Sequence, residues 1–545
     1  MIILENSNEN QPIAEGGQKR GQKKPLFWAD AIAQQADAGK KQVVGDAKTP
    51  SGKIHVGALR GVVIHDLIYK ALVDAGRQAE YIYRFDDLDP MDSFPTGLPE
   101  EFRKYMGMPL CNIPSPEKGF DNFAKYYALE FQQIFESLGC KPRIVWASEA
   151  YKSGSMNEFV RTALEKSELV REINERVSGT QKGEGWLPIN AICEKCGKIG
   201  TTKVSDFDGK TVAYTCGKVK YAEGCGHSGR VSPFDGKAKL TWKAEWAAQF
   251  KRYGITIEGA GKDHLTVGGS RMVAEEICEK VFNYPQPYRF AYEFFLIGGK
   301  KMSSSKGVGV SAKEVSEILT PELLRFLMTR YKPRTAIDFN PEGETIPRLF
   351  DDFDNFARTF FGQRESRDPD EPRIYQLSQV NEQLRLVPVD YYKPDFGMIT
   401  NLIQIPHADA QKEFEKRKGM PLDGIELLEL KKRTVIARKW LEKFADDEHK
   451  ITILQHAQAV KKFSELTPEL QKALNDFADF FATNNSEELQ WQRIRSVCET
   501  HTLPVQEFFK AAYQVLIGKE KGPKLLPFVN SLDKQFVVQR LKGVQ

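Results

Sequence analysis

The sequence predicts an α/β fold built on a doubly wound parallel sheet, interrupted by a small metal-binding insertion and followed by an all-α C-terminal region. Three observations predict it. Strand-like apolar runs alternate with amphipathic helical stretches through about the first 300 residues, the order that lays down a parallel sheet with crossover helices. Four cysteines, Cys193, Cys196, Cys216 and Cys225, crowd into one segment of that alternation. Beyond Gly307 the strand patterns give way to apolar residues recurring at helical spacing.

Taken in order, residues 1–24 are polar and rich in Gly, Gln and Lys, and read as a disordered tail. Gln42-Val43-Val44 ends a buried strand. The stretch AKTPSGKIHVGALRG, Ala47 to Gly61, then supplies glycines, hydroxyl residues and one histidine. Leu59, Val62, Val63, Leu67, Ile68, Ala71 and Leu72 follow at helical spacing and stop before Gly76. A helix N-terminus presents unpaired N–H groups and a positive dipole, which suits a phosphate, and His55 adds a side-chain donor. An ordinary βα turn capped by Ser or Thr is the alternative reading of this stretch. Ala79–Phe85 is a second strand, ending at the acidic turn Asp86–Pro90; a helix over Asn122–Leu138 and a strand at Arg143–Trp146 follow.

The cysteine spacing is that of a zinc ribbon. Cys193-Glu-Lys-Cys196 forms a knuckle, Cys216 comes after 19 residues and Cys225 after 8 more. Two thiolates on a tight turn and two across a short hairpin assemble a tetrahedral site. Thr201–Val204 and Thr211–Tyr214 read as the strands between, and His227 is an alternative to Cys225 as fourth ligand. Cys111, Cys140, Cys278 and Cys498 are isolated and read as ordinary core or surface residues.

After the insertion come a strand at Ile255–Glu258, the loop Gly259–His264, a helix over Ser270–Val281 and a single buried strand, Phe290–Ile297, closed by Gly298-Gly299. The arrangement is Rossmann-like, and ligands in such sheets sit beyond the carboxyl ends of the strands, where both glycine loops lie. Next comes GGKKMSSSKG, Gly298 to Gly307: taken alone it reads as a solvated surface turn, but at the end of a sheet strand beside the His55 loop its lysines and serines are the natural complement of a polyphosphate. Ser311–Tyr331 reads as one helix, Asp338–Gly343 as a turn and Ile346–Phe361 as a helix. Later helical patterns include Leu427–Phe444 and Val505–Ile517, with Lys416, Arg417, Lys418, Lys431, Lys432, Arg433, Arg438 and Lys439 among the basic positions.

Bulk properties set bounds. A chain of 545 residues exceeds one ordinary core, so three or four domains are expected. Apolar content of 41% and charged content of 28% describe a globular protein, and a net charge of +4 does not by itself ask for nucleic acid. No 18-residue apolar run and no apolar signal core are visible, so neither a membrane span nor export is expected. The eight cysteines are then expected reduced in the cytoplasm, which points to metal binding rather than disulfides.

HVGA (His55–Ala58) resembles the HIGH motif of class I aminoacyl-tRNA synthetases, and KMSSS (Lys301–Ser305) resembles their KMSKS loop. The longer strings TPSGKIHVGALRG, GAGKDHLTVGGSR, FFLIGGKKMSSSKG, PELLRFLMTRYKPRTAIDFNPEG and FFKAAYQVLIGKEKGPKLLPF resemble class I lysyl-tRNA synthetases in particular. The resemblance covers most of residues 40–545. Two positions depart from the pattern: Ala58 stands for the last His of HIGH, and Ser304 for the second Lys of KMSKS, with Lys306 two positions on.

The resemblance implies a lysine–tRNA ligase that forms lysyl-adenylate from lysine and ATP, then acylates the 3′ end of tRNA(Lys). It implies His55, Lys301 and Lys306 as catalytic groups. ATP contacts would come from Pro50, Ser51, Gly52, His55, Gly57 and Ala58, from Gly261, Lys262, Asp263 and His264, and from Lys301, Met302, Ser303, Ser304 and Ser305. Thr49, Asp46, Asp263 and Trp242, with Trp246 beside it, would hold lysine, and Asp46 and Asp263 are both candidates for its ε-ammonium. Mg²⁺ with ATP and a structural Zn²⁺ are expected, in a cytoplasmic protein; the sequence leaves the oligomeric state open, a monomer being favoured. The implied organisation is a catalytic half at 25–150, a connective zinc insertion at 151–240, the second catalytic half at 241–310, a helical linker at 311–372 and an anticodon-binding domain at 373–545. A non-catalytic RNA-binding relative is the alternative. A small-molecule nucleotidyltransferase of the same fold is disfavoured, because it needs no long helical extension.

Overall fold

The computed structural model describes residues 26–301, 311–405, 408–522 and 524–544. The polar tail and the loop residues Met302, Ser303, Ser304, Ser305 and Lys306 lie outside the described residues. Strands β1 (Gln42–Lys48), β2 (Ala79–Phe85) and β3 (Arg143–Trp146) come first in the chain. The insertion contributes β4 (Ile189–Ala191), β5 (Thr202–Phe207), β6 (Val212–Cys216), β7 (Ser228–Val231) and β8 (Ala238–Leu240). The chain then adds β9 (Ile257–Gly261), β10 (Tyr288–Tyr292), β11 (Phe295–Ile297), β12 (Lys300–Lys301) and β13 (Ile337–Asp338).

The central sheet has five strands in the order β10-β9-β1-β2-β3, and every pairing is parallel. The chain builds outward from β1 to β3, then returns to the other side of β1 for β9 and β10. That reversal opens a crevice at the carboxyl ends of β1 and β9, where a doubly wound sheet binds its ligand. The register shows why it is open. β1 pairs with β2 along all seven residues, but with β9 only at Val44↔Ile257. Gly45 permits the close approach below the opening, since a Cβ there would meet the Glu258 carboxylate and the Ile255 side chain at 2.9 Å.

The helix after β1 spans Val56–Asp74, and all seven apolar residues that predicted it are buried. It also buries Arg60, His65, Asp66 and Lys70. Asp66 is held well below the usual carboxylate range, because Lys70 (2.9 Å) and Arg325 (2.6 Å) outweigh its burial. Arg325 also donates to the carbonyl oxygen of Leu138 (3.0 Å), so one guanidinium fastens the helix Pro321–Thr329 beneath the sheet. Removing one member of such a buried set leaves an unpaired charge, which costs far more than an exposed pair contributes.

Two sequence expectations are corrected. Phe290–Ile297 is not one strand: β10 pairs with β9 in the central sheet, whereas β11 pairs with β12 and β13 in a separate small sheet. The break falls at Glu293-Phe294. There the Glu293 N–H donates to Pro333, and the Arg60 guanidinium takes the carbonyl oxygens of Phe294 (3.0 Å) and Thr335 (2.6 Å). Ser311–Tyr331 is two helices, Ala312–Ser316 and Pro321–Thr329, because Pro321 cannot continue the first and instead starts the second, with Thr320 as its cap.

One apolar cluster joins a face of the sheet to the helices from Ala312 through Ala445, a second joins the other face to the insertion, and a third is assembled mainly from Ile451 to Leu541. The helices Gly424–Lys443 and Val505–Ile517 match their expected spans closely. Among the described residues no helix is long and apolar enough to cross a membrane.

Candidate active site

The crevice holds a cavity of about 410 Å³ whose floor is the end of β1 and whose walls come from β2, β9, β10 and the helix Trp242–Tyr253. Of the sequence-predicted residues, Asp46, Thr49, His55, Gly57, Ala58, Trp242, Gly261, Asp263 and His264 line it. Ser51 lines a neighbouring cavity of about 560 Å³ instead, which shares Lys48, Thr49, His55 and Trp242 with the first. Pro50, Gly52 and Lys262 line neither; Lys262 pairs with Glu293 at 2.7 Å. Lys301 ends β12, so the strand leading into the serine loop is described while the loop itself is not.

His55 is the N-cap of the helix Val56–Asp74 and forms no side-chain cap bond. Gly57 and Ala58 of its first turn line the cavity without a capping side chain, although the Ala58 N–H donates to the His55 carbonyl (3.0 Å); a helix start of this kind suits an anion. An antiparallel bridge joins His55 to Ser311, the first described residue after the serine loop. The two motifs that flank the phosphate region are thus tied together through the backbone. Gly61 lies one turn further on, where a Cβ would stand 2.8 Å from the Tyr292 hydroxyl. A side chain there would push the helix off the cavity wall.

Asp46 and Asp263 occupy different environments. Asp263 is exposed at the rim. The Asp46 side chain is 11% exposed, and burial pushes its pKa up to about 7 despite a 2.8 Å bond from the Ala47 N–H. His65 Nδ1 stands 3.5 Å from it, and the charges of Arg84 and of Lys48, two residues on, lower its pKa without offsetting its burial. His65 Nε2 accepts from the Gly259 N–H, so Nδ1 carries the proton and donates to Gly61. Burial then holds this imidazole down at about 4, and it is no counter-ion. Arg84 is committed to Asp86 at 2.6 Å. Asp46 is therefore a buried carboxyl whose charge an incoming cation would complete.

Opposite stands an aromatic corner. Trp242 and Trp246 stack at 5.8 Å, and His264 meets both edge-on. Trp246 Nε1 donates to Glu258 (2.6 Å), which Arg271 also binds (2.7 Å). Burial still leaves the Glu258 pKa raised. Sequence reading missed Glu258, the Arg84–Asp86 pair and Tyr292. A charged residue inside an otherwise uncharged strand was the available signal for Glu258; Tyr292 gave none.

In the insertion, Cys193, Cys196, Cys216 and Cys225 bring their sulfur atoms within 4.8 Å of one another. The Cys193–Cys225 and Cys196–Cys216 separations are both 3.6 Å. Tetrahedral Zn²⁺ with thiolates at about 2.3 Å requires sulfur atoms about 3.8 Å apart, so the set fits that ion. His227 stands outside the group, its ring edge-on to Tyr214. Cys140, Cys278 and Cys498 are buried, Cys111 is partly so, and none belongs to the cluster.

A sequence profile described as "tRNA synthetases class I (K)" matches residues 26–381. Lysine–tRNA ligases from three organisms align over almost the whole chain. That of Archaeoglobus fulgidus is 34% identical, covering 95% of this chain and 100% of the relative. Those of Thermoplasma acidophilum (32%; 95% and 99%) and Methanosphaera stadtmanae (33%; 94% and 99%) are alike. With the profile spanning well over half of the residues and full-length relatives above 30% identity, this chain belongs to the class I lysyl-tRNA synthetases.

Proposed function

We propose that the chain is an ATP-dependent lysine–tRNA ligase acting in the cytoplasm, where its charged tRNA(Lys) feeds protein synthesis, and that the cavity between β1 and β9 performs both half-reactions. The lysine carboxylate attacks the α-phosphorus of ATP, forming the acyl–phosphate bond as the bond to the β-phosphate oxygen breaks and pyrophosphate leaves. A terminal ribose hydroxyl of the tRNA then attacks the acyl carbon, AMP departs and the hydroxyl proton is released. The first nucleophile is already an anion, so catalysis rests on positioning and on stabilising charge at phosphorus. We assign that charge to His55 and the helix N-terminus, with Lys301 and Lys306 serving the outer phosphates. Mg²⁺ would supply further neutralisation of the phosphates.

The observation that carries the reading is Asp46, a nearly buried carboxyl without a cationic side chain bound to it among the described residues, inside a cavity whose other end is a helix N-terminus. It supports a substrate with an ammonium at one end and an activated carboxylate at the other. Lysine-dependent ATP–pyrophosphate exchange, run with and without tRNA, tests it. Exchange with lysine but not with other amino acids is expected; no exchange under either condition would favour the non-catalytic RNA-binding relative.

The four cysteines are proposed to bind one Zn²⁺, which would cross-link the knuckle and the hairpin of the insertion. Metal analysis should give about one zinc per chain. Replacing Cys193 and Cys196 by serine together should release it, and Cys278→Ser should not. Full retention in the double variant would exclude the site.

The helical region from about residue 373 is proposed to bind the anticodon arm, and the chain is proposed to act as a monomer.

A further inference from the structure

We propose that Glu258 is a positioning residue for lysine: by holding the Trp246 indole it fixes the plane of Trp242, the aromatic wall of the cavity. This rests on the ligase reading above. Trp242 and Trp246 stand four residues apart, so the helix Trp242–Tyr253 carries both on one face. That spacing does not by itself set the planes of the rings. The two indoles lie within 16° of parallel, and Trp242 is 49% exposed. Among the described residues its ring contacts are Trp246 and His264, and His264 itself meets Trp246 edge-on. Trp246 is therefore the support of the corner.

Two charged groups hold that support. Glu258 Oε1 accepts from both the indole N–H (2.6 Å) and an Arg271 N–H (2.7 Å), and the Arg271 guanidinium lies 5.4 Å from the centre of the Trp246 ring. Arg271 is anchored in turn by Glu275, which accepts from its Nε (2.9 Å) and from Arg289 (2.6 Å). Glu258 and Arg271 are both buried, and a buried ion pair adds little stability beyond apolar residues of the same shape. A carboxylate that accepts from an indole does what apolar packing does not: it stops the ring from turning. With Oε1 given to those two donors, Glu258 is distinct from Asp46, to which the ammonium is assigned. A fixed flat wall suits the four-carbon stem of lysine, which lies along apolar surface while its ammonium reaches a charge.

Circular dichroism and kinetics together test this. Stacked indoles couple excitonically, so the far-ultraviolet difference between the wild-type chain and Trp242→Phe reads the pair without substrate. Glu258→Gln keeps an acceptor for the indole; it should keep the couplet and bind lysine within about twofold of wild type. Glu258→Leu combined with Arg271→Met removes the grip and both charges at similar volume. The couplet should then be lost, and KM for lysine should rise about tenfold with kcat little changed, because the wall serves ground and transition states alike. Trp246→Phe leaves the ion pair intact, so it reports even if the double variant fails to fold, and its KM should rise likewise. An intact couplet in the double variant, an unchanged KM in Trp246→Phe, or a loss of lysine binding in Glu258→Gln would overturn the assignment. Absent lysine binding in the wild-type chain would defeat the ligase reading, and the couplet would still decide whether Glu258 holds the pair.

Discussion

His55→Ala is expected to slow lysyl-adenylate formation by about 10²-fold or more, equivalent to about 2.7 kcal/mol of transition-state stabilisation, with little change in lysine affinity. The geometry gives the reason. His55 stands at the N-cap of the helix Val56–Asp74, on the wall of the substrate cavity and away from Asp46 in sequence and role. Negative charge on the α-phosphoryl oxygens grows as the lysine carboxylate attacks, so a donor aimed there contributes more in the transition state than in the bound ground state. The change should therefore fall on the rate of the adenylate step. Rapid-quench measurement of that step, beside equilibrium lysine binding, separates the two. A variant that loses affinity and keeps its rate would remove His55 from the phosphate role. The bridge from His55 to Ser311 is a backbone contact and should survive the substitution, so collapse of the fold is not the expected cause.

Asp46→Asn is expected to weaken lysine binding by about 10²-fold and to abolish its pH dependence; a charge-assisted bond to a buried carboxylate contributes up to about 3 kcal/mol. The sign follows from the raised pKa. Without lysine, Asp46 titrates near 7 and is largely neutral below that. A bound ε-ammonium favours the carboxylate, so binding below pH 7 expels a proton. Lysine affinity should then rise with pH, by at most about tenfold per unit, and level off above 7. The linkage to folding has the opposite slope. A carboxyl raised from 3.8 to about 7 binds a proton in the folded state that the unfolded chain has released, so this group's contribution is greatest at low pH and is lost as pH rises toward 7. Lysine binding measured by calorimetry between pH 5.5 and 8 checks the affinity loss and its pH dependence. If Asp263→Asn carries the loss and Asp46→Asn does not, the rim aspartate holds the ammonium.

Much of this molecule is determined by sequence that is contiguous. The loop and helix after β1, the helix Ser270–Lys280 and the cysteine knuckle are local patterns, and each forms where its own residues dictate. Their causes act over one or two turns of chain: apolar periodicity, unpaired N–H groups at a helix start, and thiol spacing. The reading of Phe290–Ile297 as one strand failed because its apolar run continues through a break imposed from elsewhere. Arg60 and Pro333, far away in the chain, claim the backbone at Glu293-Phe294. Tertiary structure alone decided between Asp46 and Asp263 as environments, since burial and the neutral tautomer of His65 depend on β9 and its Gly259 N–H. It also decided that Glu258, Arg84 and Tyr292 share one cavity, and that Ser51 faces a second. A strand pattern records which residues alternate sides, but the sheet order β10-β9-β1-β2-β3 sets which strand ends converge. Desolvation, and with it the chemistry of Asp46, exists only once they have.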